Sequence, residues 1–431
     1  MKKCFLFVMS LLLSMGLCIN PCFAMEKPAV YSDYIYMYDA DTHQVLWDKG
    51  SEEIIFPASL TKMMTAIVAI ENTTDFDQKL EINEEVLDGL IAAGASRAGF
   101  WYGDEVSIMD LLYGVLLPSG AECCQALALH IGGSVEGYVD MMNAKAAELG
   151  MVNTHFVNTT GLHNDDHYTT LKDLSVLLDY CLQNPVFYQI FTTQEWRSAS
   201  CENYPDGLKM EATVNGYLNG SKAYQASIAG FQGSKTGFTY EAEFCLASLV
   251  EYEGHRYILI TAHAWIDRYT PVHIMDADTI YNYFYNNYSW QDLIAEGHVI
   301  KEVKINNSWN TSKLVFISDT TLSGIYPNDT TIEVDVPNEI DAPIAKDQQL
   351  GALRVMSGDE VIHEQLFVAD RDIKYSWTAR IVQQFVKGIK EYPLAMISII
   401  GIIIVAIILI VSIIRRRNHV RRKRKRRKVK H

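Results

Sequence analysis

A charge-free apolar run, Tyr392–Ile414, constrains this chain more than any other feature. Its 23 residues are enough to cross a bilayer as one helix, at about 1.5 Å of rise per residue and about 30 Å of hydrocarbon. Residues 415–431 follow with 12 Lys and Arg and no acid. The positive-inside rule keeps such a tail in the cytoplasm, against anionic lipid heads. At the other end, Met1–Ala24 joins Lys2 and Lys3 to an apolar run from Cys4 to Leu17 and ends on a small residue. That is the pattern of a secretory signal peptide cut after Ala24. The two ends predict a single-pass protein of the cell membrane, with its body outside the cell.

The body is acidic. The formal charge of −15 includes 14 basic residues in the two terminal segments, which leaves 23 basic against 52 acidic residues between them, a net of −29. A surface of that sign argues against nucleic acid as a partner. Eight cysteines fall to five after Ala24, namely Cys123, Cys124, Cys181, Cys201 and Cys245. An odd number without framework spacing argues against a disulfide scaffold.

The stretch Phe56–Ile70 reads as a loop turning into a helix, with Pro57 just before its start. Beyond Lys62 it is apolar almost all round, so this helix belongs inside a core. Ser59 and Lys62 are three residues apart and share a face of the first turn. A serine hydroxyl becomes a nucleophile when a neighbouring base takes its proton, and a desolvated neutral lysine can be that base. The N–H groups of the helix start can receive a developing oxyanion. The alternative for this stretch alone is a capped helix start with a solvated lysine.

Around it, Tyr34–Tyr38 and Val45–Trp47 read as a hairpin across Asp39–His43. Helices are expected at Met109–Leu117, Cys123–Ile131, Val135–Leu149, from Thr170 through Leu182, and at Asp276–Tyr288. Antiparallel strands are expected around Gly230–Thr239, Phe244–Val250 and Tyr257–Ala264. Strands at both ends of the sequence with helices between describe an α/β sandwich. From 297 to 370 short strands separated by Pro, Gly, Asn and Asp predict a small all-β domain. Ile373–Lys390 is amphipathic, a stalk or a helix lying on lipid. The loop His163–His167 holds two His and two Asp but has no third remote ligand at zinc-site spacing, so it reads as a solvated turn rather than a metal site.

Ser59/Lys62, Ser119 and Lys235-Thr236-Gly237 thus occur in that order on an exported chain. A Ser after a tight turn can relay a proton to a leaving amine. A strand-borne Lys-Thr pair can hold a carboxylate. Gly237 allows close approach of a ligand, and the Phe238 N–H can join that of Ser59 as an oxyanion hole.

With these motifs the sequence resembles the low-molecular-mass penicillin-binding proteins, the serine-type D-alanyl-D-alanine carboxypeptidases. The likeness extends to Tyr38–Thr42, Pro57–Thr65, Gly103–Gly120, Lys235–Thr239, Ala342-Pro343-Ile344 and Leu350-Gly351, and covers roughly residues 30–370. It implies a penicilloyl-serine transferase (β-lactamase-like) α/β domain, with an antiparallel sheet and a helical subdomain, then the small β-rich domain and the transmembrane helix. The expected divisions are 1–24 signal peptide, 25–295 peptidase, 296–371 β-rich, 372–391 stalk, 392–414 membrane span and 415–431 basic tail.

By the same resemblance Ser59 is the acylated nucleophile, Lys62 its base and Ser119 the relay. Lys235, Thr236, Gly237 and Phe238 bind substrate. The substrates implied are peptidoglycan stem peptides, which lose their terminal D-Ala, and β-lactams are covalent inhibitors. No metal or cofactor is implied. The family's second motif is Ser-x-Asn; here it is Ser119-Gly120-Ala121. The competing readings are a β-lactamase on the same serine, for which no deacylation base is evident, and a degenerate member that only binds wall peptide. A zinc peptidase on His163 and His167 is a third.

Overall fold

The computed structural model describes residues 27–428, so the signal-peptide reading of Met1–Ala24 falls outside the described residues. Among the described residues, one compact unit covers 27–291 and Gly324–Asn328; the other holds Asp292–Ser323 and 329–428.

In the first unit, β1 (Ser32–Asp39), β2 (Val45–Lys49), β3 (Phe231–Thr239), β4 (Glu243–Tyr252) and β5 (His255–Ala264) form one antiparallel sheet. Its order is β2-β1-β5-β4-β3, so β3 is an edge. Strands β4 and β5 are buried continuously over Cys245–Val250 and Tyr257–Ala262, the signature of a sheet covered on both faces. Neighbouring residues point to opposite faces. Ser248 meets Tyr281 of α6 (Val272–Asn287) at 2.9 Å on one face. On the other, Tyr38 donates to the Ser175 carbonyl of α5 (Leu171–Gln183) at 3.3 Å.

The remaining long helices of this unit are α1 (Lys62–Glu71), α2 (Ile108–Leu116), α3 (Ala121–Gly132) and α4 (Val135–Glu148). All residues of α1 from Lys62 to Ile70 are buried, and it packs on α2, α3, α4 and α5. The expected core helix is therefore present, preceded by a 3-10 turn over Ala58–Thr61. Side-chain caps start three of its neighbours. Ser107 accepts from Asp110 N, Ser134 from Gly137 N, and Thr170 from Asp173 N, each satisfying a first-turn donor. Helices α1, α3 and α6 have no side-chain cap. The short hairpin of Glu195–Arg197 with Lys209–Glu211 and the helix Pro185–Phe191 had no counterpart in the sequence reading. Elements this brief carry too few periods of hydrophobic alternation to be read.

In the second unit, β6 (Val299–Asn306), β7 (Lys313–Ile317) and β9 (Glu339–Asp341) make one sheet, with β6 antiparallel to β7 and parallel to β9. A second sheet is antiparallel and joins β8 (Thr330–Asp335), β10 (Gln349–Ser357) and β11 (Glu360–Val368). Phe316 and Phe367, 4.8 Å apart, tie the two sheets through a core that includes Val303, Leu353 and Val355. Helix α7 (Trp377–Glu391) is capped by Ser376 and leaves Ile381, Phe385 and Ile389 exposed on one side. Helix α8 (Pro393–Lys428) follows; its stretch Pro393–His419 contains an 18-residue window of mean hydropathy 3.4 and is long and apolar enough to cross a membrane.

Because α1 is enclosed on every side, Ile67→Ala at its fully buried centre is expected to destabilise the first unit by about 2–5 kcal/mol in denaturant unfolding. A loss below about 1 kcal/mol would place this helix outside the cooperative core.

Candidate active site

The first turn of the Ser59 helix is shaped by residues that a chain normally avoids. Ala58 sits at φ +45° and Ser119, before α3, at φ +67°. Left-handed backbone at non-glycine residues is strained and persists only where the surroundings impose it. At Ala58 the imposing groups can be named. Thr61 Oγ1 donates to the Ala58 carbonyl at 2.8 Å and lies 2.7 Å from His167 Nε2. Val157 N–H donates to His167 Nδ1 at 3.1 Å. That bond fixes the tautomer, so Nε2 carries the proton and donates to Thr61. Gly161, at φ +78°, closes the same corner, where a Cβ would fall inside the Ala58 carbonyl oxygen.

This turn aims Ser59 into a cleft of about 310 Å³. Lys62 lies beneath it, 1 % exposed. Its Nζ donates to Ser59 Oγ at 2.8 Å and to the Thr160 carbonyl at 2.7 Å. Burial pushes its pKa below the ordinary lysine value, because an ammonium is poorly solvated there. Facing it, Ser119 is held by its backbone. Its carbonyl accepts from Ser96 Oγ at 2.6 Å, and the Ser96 carbonyl accepts from Ala121 N at 2.8 Å. Lys235 Nζ donates to Ser119 Oγ at 3.0 Å and to the Thr236 carbonyl at 2.8 Å. Burial and the nearby Lys62 charge push the Lys235 pKa down.

The third wall is β3. Thr236, Gly237 and Phe238 line the cleft, and Lys235 lies behind it, fully buried. Thr236 Oγ1 is 2.7 Å from Thr213 Oγ1. Gly237 permits the contact between edge strand and serine turn, since a Cβ there would stand 3.1 Å from Pro57 O, Ser59 N and Ala58 Cβ.

The structure thus gathers Ser59, Lys62, Ser119, Lys235, Thr236, Gly237 and Phe238 from three distant segments into one place. Ser119 reaches Lys235, and no bond from it to Lys62 is present among the described residues. Ala121 is fully buried at the wall where the family motif carries an amide. Glu122 turns away, its carboxylate accepting from Gly99 N at 2.8 Å. His163 and His167 do not act as a pair, since His167 spends both ring nitrogens on Thr61 and Val157. All five described cysteines are free thiols, four of them buried. The sequence reading did not find Thr160, Ser96, Thr213 or the His167–Thr61 contact. A backbone carbonyl has no sequence signature, and the others are common polar residues placed by tertiary packing.

The pattern of the D-alanyl-D-alanine carboxypeptidase family matches residues 22–265. The chain belongs to this family. With it, the protein is a serine-type D-Ala-D-Ala carboxypeptidase. The pattern of the C-terminal domain of penicillin-binding protein 5 matches residues 288–375. Among curated relatives, the D-alanyl-D-alanine carboxypeptidase DacF of Bacillus subtilis is 27 % identical over 344 residues, 78 % of this chain and 85 % of its own. The crystal structure of the Streptomyces K15 DD-transpeptidase is 28 % identical, with a TM-score of 0.54 over 60 % of this chain and 98 % of its own. The D-alanyl-D-alanine carboxypeptidase DacD of Francisella tularensis, at 23 % identity, shares the fold with a TM-score of 0.60 over 84 % of this chain and 97 % of its own.

The His167 corner predicts a pH effect on stability. Burial pushes its pKa down to about 4, against about 6.5 unfolded. A depressed pKa contributes stability that is complete above about pH 6.5 and is lost as pH falls toward 4, up to about 3 kcal/mol. Thermal melting in detergent should therefore drop through that window, and His167→Gln, which does not titrate, should reduce the slope. An unchanged slope would show that His167 is not the titrating group.

Proposed function

We propose that Ser59 is the nucleophile that cuts the terminal D-Ala from peptidoglycan stem peptides, with Lys62 as its base. The observation that carries this is the 2.8 Å bond from a buried lysine to the serine hydroxyl. Neutral Lys62 takes the Ser59 proton as Oγ bonds to the penultimate D-Ala carbonyl carbon. The N–H groups of Ser59 and Phe238 receive the oxyanion. As the C–N bond breaks, the leaving amine of D-Ala takes a proton from the lysine side, with Ser119 as relay. Water then attacks the ester, gives up a proton to Lys62, and returns Ser59 to its starting state. Thr236 and Lys235 hold the substrate's terminal carboxylate, and Lys235 also donates to Ser119 Oγ at 3.0 Å.

Ala121 removes an amide that would bridge Lys62 and substrate. The Thr160 carbonyl already takes one Lys62 N–H, so the lysine remains oriented without it. The catalytic unit stands outside the cell, anchored by α8, with residues 415–431 in the cytoplasm and α7 as the stalk. β-Lactams acylate the same serine.

Intact-mass measurement after exposure to a penicillin tests the reading. One adduct on the wild type is expected. Ser59→Ala should lose both the adduct and D-Ala release, by several orders of magnitude in rate. Labelling that survives the change would reassign the nucleophile.

The topology has its own test. In sealed right-side-out vesicles, external protease should remove the body and leave the 415–431 tail protected. Cleavage of the tail from outside would reverse the assigned orientation.

A further inference from the structure

The aromatic wall of the cleft does not stop at the cleft. Phe238 and Phe244 line it, with ring centroids 4.6 Å apart. From Phe238 the aromatic surface continues outward. The Tyr240 ring is 5.6 Å away, and the Trp265 ring is 6.1 Å away at 16° between planes. Tyr240 directly follows β3, and Trp265 directly follows β5, whose last residue Ala264 pairs with Phe244. Both stay open to solvent, Tyr240 63 % and Trp265 38 % exposed. A row of large rings that begins in a binding cleft and ends in water is an apolar surface without a cover.

The rim is held in place. Arg268 Nη1 donates to Tyr240 OH at 3.0 Å, and its guanidinium lies 5.8 Å from the centre of that ring. Asp267 accepts from the N–H groups of Tyr269 and Thr270 at 2.7 and 2.8 Å, which fixes the turn that carries Arg268. Rings set before a ligand arrives lower the ordering cost of binding it.

Strand direction says what meets this rim. In the acyl transfer proposed above, Thr236 and Lys235 take the terminal carboxylate and the Phe238 N–H takes the carbonyl that is cut. The peptide therefore runs antiparallel to β3, and its N-terminal part leaves past Thr239 toward Tyr240. At about 3.4 Å per residue, the residue third from the C-terminus lies beside Thr239 and Tyr240. Flat apolar faces at that point suit methylene groups or a ring.

We propose that Tyr240 and Trp265, with the Phe238 ring, form a subsite for the side chain of the residue third from the C-terminus of the substrate peptide, and that it takes a long aliphatic or aromatic side chain. This rests on the reading that Ser59 is the nucleophile and that Thr236 and Lys235 hold the carboxylate. Tyr240 and Trp265 are then specificity-determining residues outside every sequence motif of the site. The acyl group of a penicillin, on the same side of the reacting carbonyl, falls on the same rim.

The full chain in detergent tests this with two peptides ending in D-Ala-D-Ala, one with norleucine and one with glycine at the third position. For the wild type, kcat/KM is expected to favour norleucine about tenfold or more. Tyr240→Ala and Trp265→Ala should each bring that ratio toward unity while leaving the glycine peptide within about twofold, and Trp265→Phe should keep most of the preference. The rate of Ser59 labelling should follow the same pattern for benzylpenicillin against 6-aminopenicillanic acid, which has no acyl group. The unchanged glycine rate shows that the variants are folded. A wild type indifferent to the third residue, or losses equal on both peptides, would overturn the subsite. A wild type that releases D-Ala without labelling at Ser59 would overturn the nucleophile instead, so the two failures are distinguishable.

Discussion

Burying an amine is the act on which this molecule depends. Lys62 is enclosed at the start of a helix that is itself enclosed. A charged ammonium there would cost several kcal/mol, so the packing selects the neutral form that proton abstraction needs. The two acceptors it meets, Ser59 Oγ and the Thr160 carbonyl, fix its direction without supplying a countercharge. A carboxylate in either place would hold the proton on lysine and silence it as a base. The acidic body of the chain is thus kept away from its own reaction centre. Glu122, the acid next in sequence to the cleft wall, is turned under the Ala98–Gly99 backbone.

Three uncapped helix starts converge on the cleft. The turn before α1 carries Ser59, α3 opens at Ala121 after Ser119, and the second residue of α6 is His273. The neighbours that start elsewhere spend Ser107, Ser134 and Thr170 on their first turns. Starting helices without a capping side chain where charge will develop is a cost in stability exchanged for electrostatic readiness. The left-handed backbone at Ala58 and Ser119 belongs to the same exchange.

Much of this was legible in the sequence because the decisive features are local or periodic. The Ser59–Lys62 spacing, the apolar run of α1, the hairpin of β1 and β2, and the continuously apolar strands β4 and β5 each follow from local sequence pattern. So did the β-rich character of residues 297–370, where Val303 and Ile305 alternate with polar neighbours. What could not be read depends on contact between distant segments. His167 was read as part of a solvated turn, and only the fold shows it buried with its two nitrogens holding Thr61 and Val157. The helix expected from Asp276 begins earlier, at Val272, and nothing in Pro271-Val272-His273-Ile274 shows that it starts at a cleft. Lys235 was read from its motif as a carboxylate ligand, and its full burial and 3.0 Å bond to Ser119 Oγ depend on packing that the motif does not show.

Strand β3 has one more consequence. It ends the sheet, and its free side faces the cleft at Thr236–Phe238. An exposed sheet edge is ordinarily a liability, a template on which other chains pair. Here the few residues that line the cleft, Thr236–Thr239, restrict what can pair with it to a short, extended backbone lying antiparallel or parallel to β3. Such pairing reads main-chain direction and spacing, and it admits side chains only on alternate faces. On the proposed function, such pairing constrains the peptide backbone beside Ser59 and leaves the side chains that project toward solvent unread by β3.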